Sequence, residues 1–222
     1  MKIISTEAGQ VLQLFVMDEI RPLSGLYLPT LLAALGERYG FVTKPANLGD
    51  DLAKGVKFQT GHHVTDGRDI SINEITFFND GVIVIALNTD DAEIVLDDFW
   101  AWATQTFKLR EDQTKRPRTY VSSVVVEFGS SIDAAIKGFE TASKKVSDAI
   151  NVTYGRKVDT SIFRLSFAAD PTTVPPHFNT QFTIERRLGI PFSKNRYFSS
   201  APLKTKAHLG ILKELENILV MQ

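Results

Sequence analysis

The residues of this 222-residue chain best suited to chemistry lie in one run, His62-His63-Val64-Thr65-Asp66-Gly67-Arg68-Asp69. Imidazole nitrogens and carboxylate oxygens are ligands for zinc, manganese or iron, and a metal there would support assisted hydrolysis around His62, His63 and Asp66. Adjacent histidines on an extended segment point to opposite faces, so only one of the two can join Asp66 or Asp69. The rest of a coordination shell has to come from elsewhere, and the other histidines are His177 and His208. The plainer expectation for this run is a polar loop leading into a strand at Ile70. His177 follows two prolines and His208 falls in the first turn of the last helix; either imidazole can act as a base near neutral pH, but no surrounding pattern selects one.

The remaining signatures for catalysis or cofactor binding are missing. H-E-x-x-H, G-x-S-x-G, the P-loop and the dinucleotide fingerprint do not occur. There is no cysteine, which removes disulfides, thiol nucleophiles, iron–sulfur clusters and cysteine zinc sites. Gly129-Ser130-Ser131 opens a helix after a strand, where free N–H groups can hold an anion, although such a turn is more often a simple cap. Asp97 and Asp98 are helix neighbours and do not face each other. Glu74 and Glu185 interrupt apolar strands and either face solvent or line a cleft. No cofactor is called for.

Two features suit binding. Basic residues gather at Lys108, Arg110, Lys115, Arg116 and Arg118, and again at Arg186, Arg187, Lys194 and Arg196, with Tyr120 and Tyr197 beside them. Guanidinium next to an aromatic ring fits phosphates and stacked bases, which makes Arg116, Arg118, Arg186, Arg187 and Arg196 the anion or nucleic-acid candidates. Against this, the sequence pI is about 6.4. The second feature is the helix after Thr89, which carries Phe99, Trp100, Trp102 and Phe107 over an apolar arc too wide for one sheet contact. Such a helix is sandwiched in a core, supplies an interface, or lines a small-molecule pocket.

The elements that position these residues follow from periodicity. Residues 10–20 read as a strand, and leucines at helical spacing after Pro29 as a helix ending near Gly40. Residues 68–78 and 81–88 read as strands joined at Asn79-Asp80-Gly81, an Asp-Gly turn with positive φ. Thr89 is expected to cap the Trp helix, with Asp90, Asp91 and Glu93 on its dipole. Residues 110–118 read as a linker. There follow a strand at 119–128, a helix from Ser130 or Ser131 to Tyr154 with Ile132, Ile136, Phe139, Val146 and Ile150 on one stripe, strands at 161–168, 181–188 and 196–201, and a helix capped by Thr205. Asp133–Lys137 and Glu140–Lys144 are spaced as ion pairs on that helix.

The order implies an α+β fold: a mostly antiparallel sheet with four main helices packed largely on one face. It also reads as two similar β-α-β-β-(β)-α halves, 1–109 and 119–222. At a constant offset of 116, Thr89 matches Thr205, Val95 matches Ile211, Leu96 matches Leu212, Phe99 matches Leu215 and Trp102 matches Ile218. True duplication would relate the halves by a pseudo-twofold axis.

The halves differ in charge. Residues 1–100 hold 7 Lys and Arg against 15 Asp and Glu, and residues 101–222 hold 18 against 11, within a net charge of −1. With no secretory signal and no run of about 18 apolar residues, the expectation is a cytoplasmic protein that does not enter a membrane. The function expected is a protein-interaction or assembly subunit that self-associates or docks on a protein partner. Phe99, Trp100, Trp102 and Phe107 would anchor it, and the basic half would meet an acidic surface. The alternatives are a nucleic-acid binder through the basic half, a metal-assisted hydrolase, and a small-molecule-binding module.

Overall fold

In a computed structural model, residues 1–47, 52–110, 118–135, 139–170, 172–174 and 180–220 are described. The expected linker positions Lys115 and Arg116, the Ile136 and Lys137 helix positions and His177 fall outside these residues. The described residues form strands β1 (Lys2–Leu14), β2 (Val56–Thr65), β3 (Arg68–Phe77), β4 (Gly81–Ala86), β5 (Arg118–Glu127), β6 (Arg164–Phe167), β7 (Phe182–Arg186) and β8 (Arg196–Ala201). Helices are the short α1 (Met17–Ile20), α2 (Leu28–Arg38), α3 (Thr89–Phe107), α4 (Phe139–Tyr154) and α5 (Thr205–Val220). The strands are ordered β2-β3-β4-β1-β5-β8-β7-β6, and the class is α+β with an antiparallel sheet.

The chain divides into two compact units. An N-terminal unit comprises Glu7–Ser122 and Pro202–Thr205; a C-terminal unit comprises Met1–Thr6, Ser123–Ala201 and Lys206–Gln222. The division passes through β1 and β5.

The N-terminal unit has a closed core. Alternation along β1 turns Val11 inward, and β3 and β4 bring Ile72, Ile75, Phe77, Val82 and Val84 to the same layer. Helix α2 covers them with Leu31, Leu32 and Leu35, and α3 with Val95, Leu96 and Phe99. Burying each such side chain contributes about 1.5–3 kcal/mol. Gly9 is required where β1 passes the start of α3: an added Cβ would lie 2.0 Å from the Asn88 carbonyl carbon. The first residues of α3 and α5 meet in this unit. The Thr89 N–H donates to Thr205 Oγ1 at 3.1 Å, and the Thr205 N–H to Thr89 Oγ1 at 2.9 Å. Each hydroxyl thereby accepts a helix-terminal donor that has no intrahelical partner.

The C-terminal unit is built differently. Its core is Val124, Val126, Phe128, Ile132, Ile184, Tyr197 and Leu212. Helix α5 supplies Leu212 with Leu209 and Leu215 beside it, but none of the described side chains of α4 joins this cluster. Among the described side chains of α4, Ser147 alone is buried.

Several local expectations are corrected. β1 starts at Lys2 and stops at Leu14, and residues 17–20 form α1. Asn88 rather than Thr89 caps α3, its Oδ1 accepting the Asp91 N–H at 2.9 Å. Residues 62–65 are not loop but the end of a ten-residue β2. The Asp-Gly turn with positive φ is Asp66-Gly67, at 49° and 72°, between β2 and β3. Asn79-Asp80-Gly81 does join β3 to β4, with neither Asp80 nor Gly81 at positive φ. The 130–154 helix is a 3₁₀ turn at Ile132–Ala135 followed by α4 from Phe139.

Two apolar helix residues therefore differ in weight. Leu32→Ala, fully buried on α2, is expected to cost about 2–5 kcal/mol in urea unfolding. Val146→Ala, exposed on α4, should change stability by less than about 0.5 kcal/mol. A large loss for Val146→Ala would show that α4 is part of the core of the isolated chain.

Candidate functional site

Among the described residues the histidine run does not converge on a metal centre. His62 Nδ1 lies 3.5 Å from Asp69 Oδ1, whereas His63 Nδ1 lies 3.7 Å from Asp98 Oδ2. The strand thus sends the two rings to different acids, and Asp66 is committed to its turn. No group of three or more His, Asp or Glu side chains converges among the described residues.

His63 instead joins a latch between α2, α3 and β2. Arg38 grips Asp98 with both ends of its guanidinium, at 2.7–3.1 Å, and the Tyr39 hydroxyl donates to Asp98 Oδ2 at 2.7 Å. The same guanidinium lies 5.2 Å from the Trp102 ring centroid. Desolvation raises the Asp98 pKa, but hydrogen bonds from Arg38 and Tyr39 and the charges of His63 and Arg38 outweigh it and hold the carboxyl below its ordinary value. Burial, then the hydrogen bond and charge of Asp98, push the Tyr39 phenol far up. Neither group is poised near neutral pH, and Tyr39 is fully buried. The geometry is that of a structural clamp.

The Trp helix is mostly interior. Phe99 is fully buried and Trp100 is 8% exposed, packed edge-on against Phe15 at 5.6 Å and Phe99 at 5.0 Å. Trp102 and Phe107 are half-buried and pack on each other at 5.5 Å. The wide apolar arc is explained by the core on one side and the Arg38 guanidinium on the other.

Arg118, Arg186 and Arg196 are engaged by the chain itself. Arg186 is buried and donates to the Ile162 and Phe192 carbonyls, to Ser131 Oγ and to Asp133 at 2.5 Å. Arg118 pairs with Asp97 at 2.5 Å, and Arg196 with Glu127 at 2.8 Å. Lys204 pairs with Glu93, which also accepts from Tyr120. Arg187 is exposed, its guanidinium 6.0 Å from the Phe198 ring. Tyr197 is fully buried. The anion position at Gly129 is filled by the chain's own carboxylate, since Glu216 accepts the Gly129 N–H at 2.9 Å. Glu74 and Glu185 sit in cross-strand pairs with Lys57 and Arg164.

What the sequence reading did not find is the way α4 is seated. Ser143, Ser147 and Asn151, four residues apart, form one face, and that face holds the segment before β6. Thr160 donates its N–H to Ser147 Oγ at 2.8 Å and its hydroxyl to the Ser143 carbonyl at 2.8 Å. Asn151 exchanges two hydrogen bonds with the Val158 main chain, at 2.6 and 3.2 Å. An open, polar cavity of about 590 Å³ runs along this seam, lined among others by Ser131, Asp133, Lys144 and Lys157. The apolar stripe of α4 lies about 100° round the helix. Phe139 is 46% and Val146 52% exposed, Ala142 and Ala149 are also exposed, and Ile150 is half-buried. On β6 and just before it, Phe163 and Phe167 are 43% and 48% exposed. On α5, Ile211 and Ile218 are exposed, although Val95 and Trp102 at the matching positions of α3 are buried and half-buried. The available signal was the polar Ser-x-x-x-Ser-x-x-x-Asn face of the helix, which an apolar count passes over.

The chain matches no protein-family model and no curated protein sequence. No helix among the described residues is long and apolar enough to cross a membrane.

The latch gives a pH-dependent expectation. Asp98 has a lower pKa folded than unfolded, so its contribution is present above the ordinary aspartate value of about 3.9 and is lost as pH falls through the folded value. Asp98→Asn should lower stability by about 1–3 kcal/mol at pH 7. The gap from wild type should narrow below pH about 4, as measured by denaturant unfolding across pH. A gap unchanged down to pH about 2 would remove the charge from the explanation.

Proposed function

We propose that this chain is a protein-interaction and assembly subunit that self-associates through its C-terminal unit and works by contact rather than by catalysis. The observation that carries this reading is the seating of α4: a serine–asparagine face turned to its own chain, and a Phe139–Val146 stripe left to solvent. A soluble domain ordinarily spends an amphipathic helix the other way round. Large exposed apolar patches mark association sites. The exposed Phe163, Phe167, Ile211 and Ile218 of the same unit add to it.

The site moves relative to the sequence expectation. Phe99 and Trp100 cannot meet a partner without opening the core, so the Trp helix organises the N-terminal unit instead. Charge complementarity between halves is also partly spent inside the N-terminal unit, where Arg118 and Lys204 meet Asp97 and Glu93. The reading carries with it a cytoplasmic setting, which cell fractionation tests.

We further read the two units as products of duplication. Leaving aside the short α1 and the 3₁₀ turn at Ile132–Ala135, each runs strand, helix, three strands, helix, with its first strand beside its fourth. The Thr89–Thr205 hydrogen bonds are reciprocal between residues 116 apart. Alignments of orthologues in which the two halves fail to match at that offset would count against it.

Light scattering after size-exclusion chromatography tests the association. Wild-type protein at high micromolar concentration should exceed the monomer mass, and the excess should persist as salt rises, since the contact is apolar. Val146→Glu should shift the protein toward monomer with little change in unfolding midpoint. A strictly monomeric wild type would sink the proposal.

A further inference from the structure

β6 stands at the end of the strand order, and its sequence neighbourhood is Phe163-Arg164-Leu165-Ser166-Phe167. We infer that this edge pairs with the same edge of a second copy of the chain, antiparallel and centred on Leu165. The inference rests on the self-association proposed above and specifies its geometry.

The direction of the main-chain groups comes first. The Arg186 N–H donates to the Phe163 carbonyl at 2.8 Å, and the Arg187 N–H turns the other way, to the Arg196 carbonyl on β8 at 3.0 Å. With the register Arg164–Glu185, Leu165–Ile184, Ser166–Thr183 and Phe167–Phe182, alternation assigns Phe163, Leu165 and Phe167 to bonding with β7. Arg164 and Ser166 therefore direct their N–H and C=O groups to the open edge. An antiparallel partner must place outward-directed residues opposite one another, which admits only centres on Arg164, Leu165 or Ser166 within this strand.

Side chains then choose among the three. A centre on Arg164 sets two guanidinium groups opposite each other, and like charges so placed are destabilising. A centre on Ser166 sets Phe163 against the partner's Ala169. A centre on Leu165 sets Phe163 against the partner's Phe167 and Leu165 against the partner's Leu165. On the other face it sets Arg164 against the partner's Ser166. The segment is self-complementary about that residue, so the occupant it fits is another copy of itself, in an isologous twofold contact. The apolar face being extended is the core face of the unit. Leu165 packs on the core that contains Ile184 and Leu212, and Phe167 lies 6.1 Å from Phe182, which in turn contacts His208.

The sequence of the edge also lacks the usual guards. No Lys, Pro or Asp stands between Phe163 and Ala169, and the one charge, Arg164, is held 3.8 Å from Glu185. The strand at the other end of the order is guarded. Thr43 and Gln59 exchange main-chain hydrogen bonds at 3.1 and 2.9 Å, and the Val42 N–H donates to Thr60 of β2.

Because the chain has no cysteine, disulfide trapping in the full-length protein reads this register directly. Centred on Leu165, the two copies of that residue form a non-hydrogen-bonded pair with Cα atoms about 4.5 Å apart. That is inside the disulfide range of about 4.4–6.8 Å. Mild oxidation of Leu165→Cys should give a covalent dimer on a non-reducing gel. Arg164→Cys alone and Ser166→Cys alone should give several-fold less, and a mixture of the two should recover the dimer. Ser166→Pro removes an N–H that β7 does not use, so by circular dichroism it should stay folded while light scattering shows monomer; Leu165→Lys gives the same readout if the proline variant misfolds. A wild type heavier than monomer whose Leu165→Cys form fails to crosslink, or crosslinks no better than Arg164→Cys, overturns the edge pairing and leaves self-association standing. A monomeric wild type removes both. A dimer that survives both Ser166→Pro and Leu165→Lys also overturns the edge pairing.

Discussion

An antiparallel sheet with one apolar face has to cover that face, and most of what distinguishes the two units follows from how well each does so. In the N-terminal unit α2 and α3 lay Leu31, Leu32, Leu35, Val95, Leu96 and Phe99 on the sheet, and the layer closes. In the C-terminal unit α5 does part of the work with Leu212, while α4 is fastened by hydroxyl and amide hydrogen bonds and buries no apolar side chain. Apolar area left in water costs about 25 cal/mol per Å², so a stripe such as Phe139–Val146 is stabilised by any partner that covers it.

The polar groups point the same way. Three carboxylates are spent on structure: Asp98 between Arg38 and Tyr39, Asp133 on the buried Arg186, Glu93 between Lys204 and Tyr120. A catalytic carboxylate or imidazole needs a pKa near its working pH and an open approach. Asp98, Asp133 and Glu93 are all held below their ordinary carboxyl values despite the upward pull of desolvation, by the cations and donors around them. Such groups hold elements together. Phe139, Val146, Phe163, Phe167, Ile211 and Ile218 are left exposed among the charged side chains of the C-terminal unit.

Much of the architecture is legible in the sequence. Alternation located β3, β4, β5, β7 and β8, the 3.6 period located α2, α3 and α5, and the antiparallel α+β class followed from their order. The failures have physical causes. Asp80-Gly81 and Asp66-Gly67 carry the same dipeptide, but only the second lies where β2 and β3 meet in a tight turn that demands positive φ. His62 and His63 read as loop because their polarity hides the alternation of an edge strand. Phe99 and Trp100 were legible as apolar anchors, yet whether an anchor faces a partner or its own sheet is not written in its helix.

By itself the sequence determined which segments become strands and helices, because period and turn chemistry are local. It also determined that no thiol or nucleotide-loop chemistry was available, because those need particular residues at particular spacings. Only the tertiary structure decided which apolar faces are satisfied. Val95 and Ile211 are equivalent in the pattern, and so are the stripes of α2 and α4. The difference between buried and exposed depends on what the rest of the chain brings against them. The same holds for the edge of β6: its near-palindrome is visible in the letters, but the outward direction of Arg164 and Ser166 exists only once β7 has claimed the residues between them.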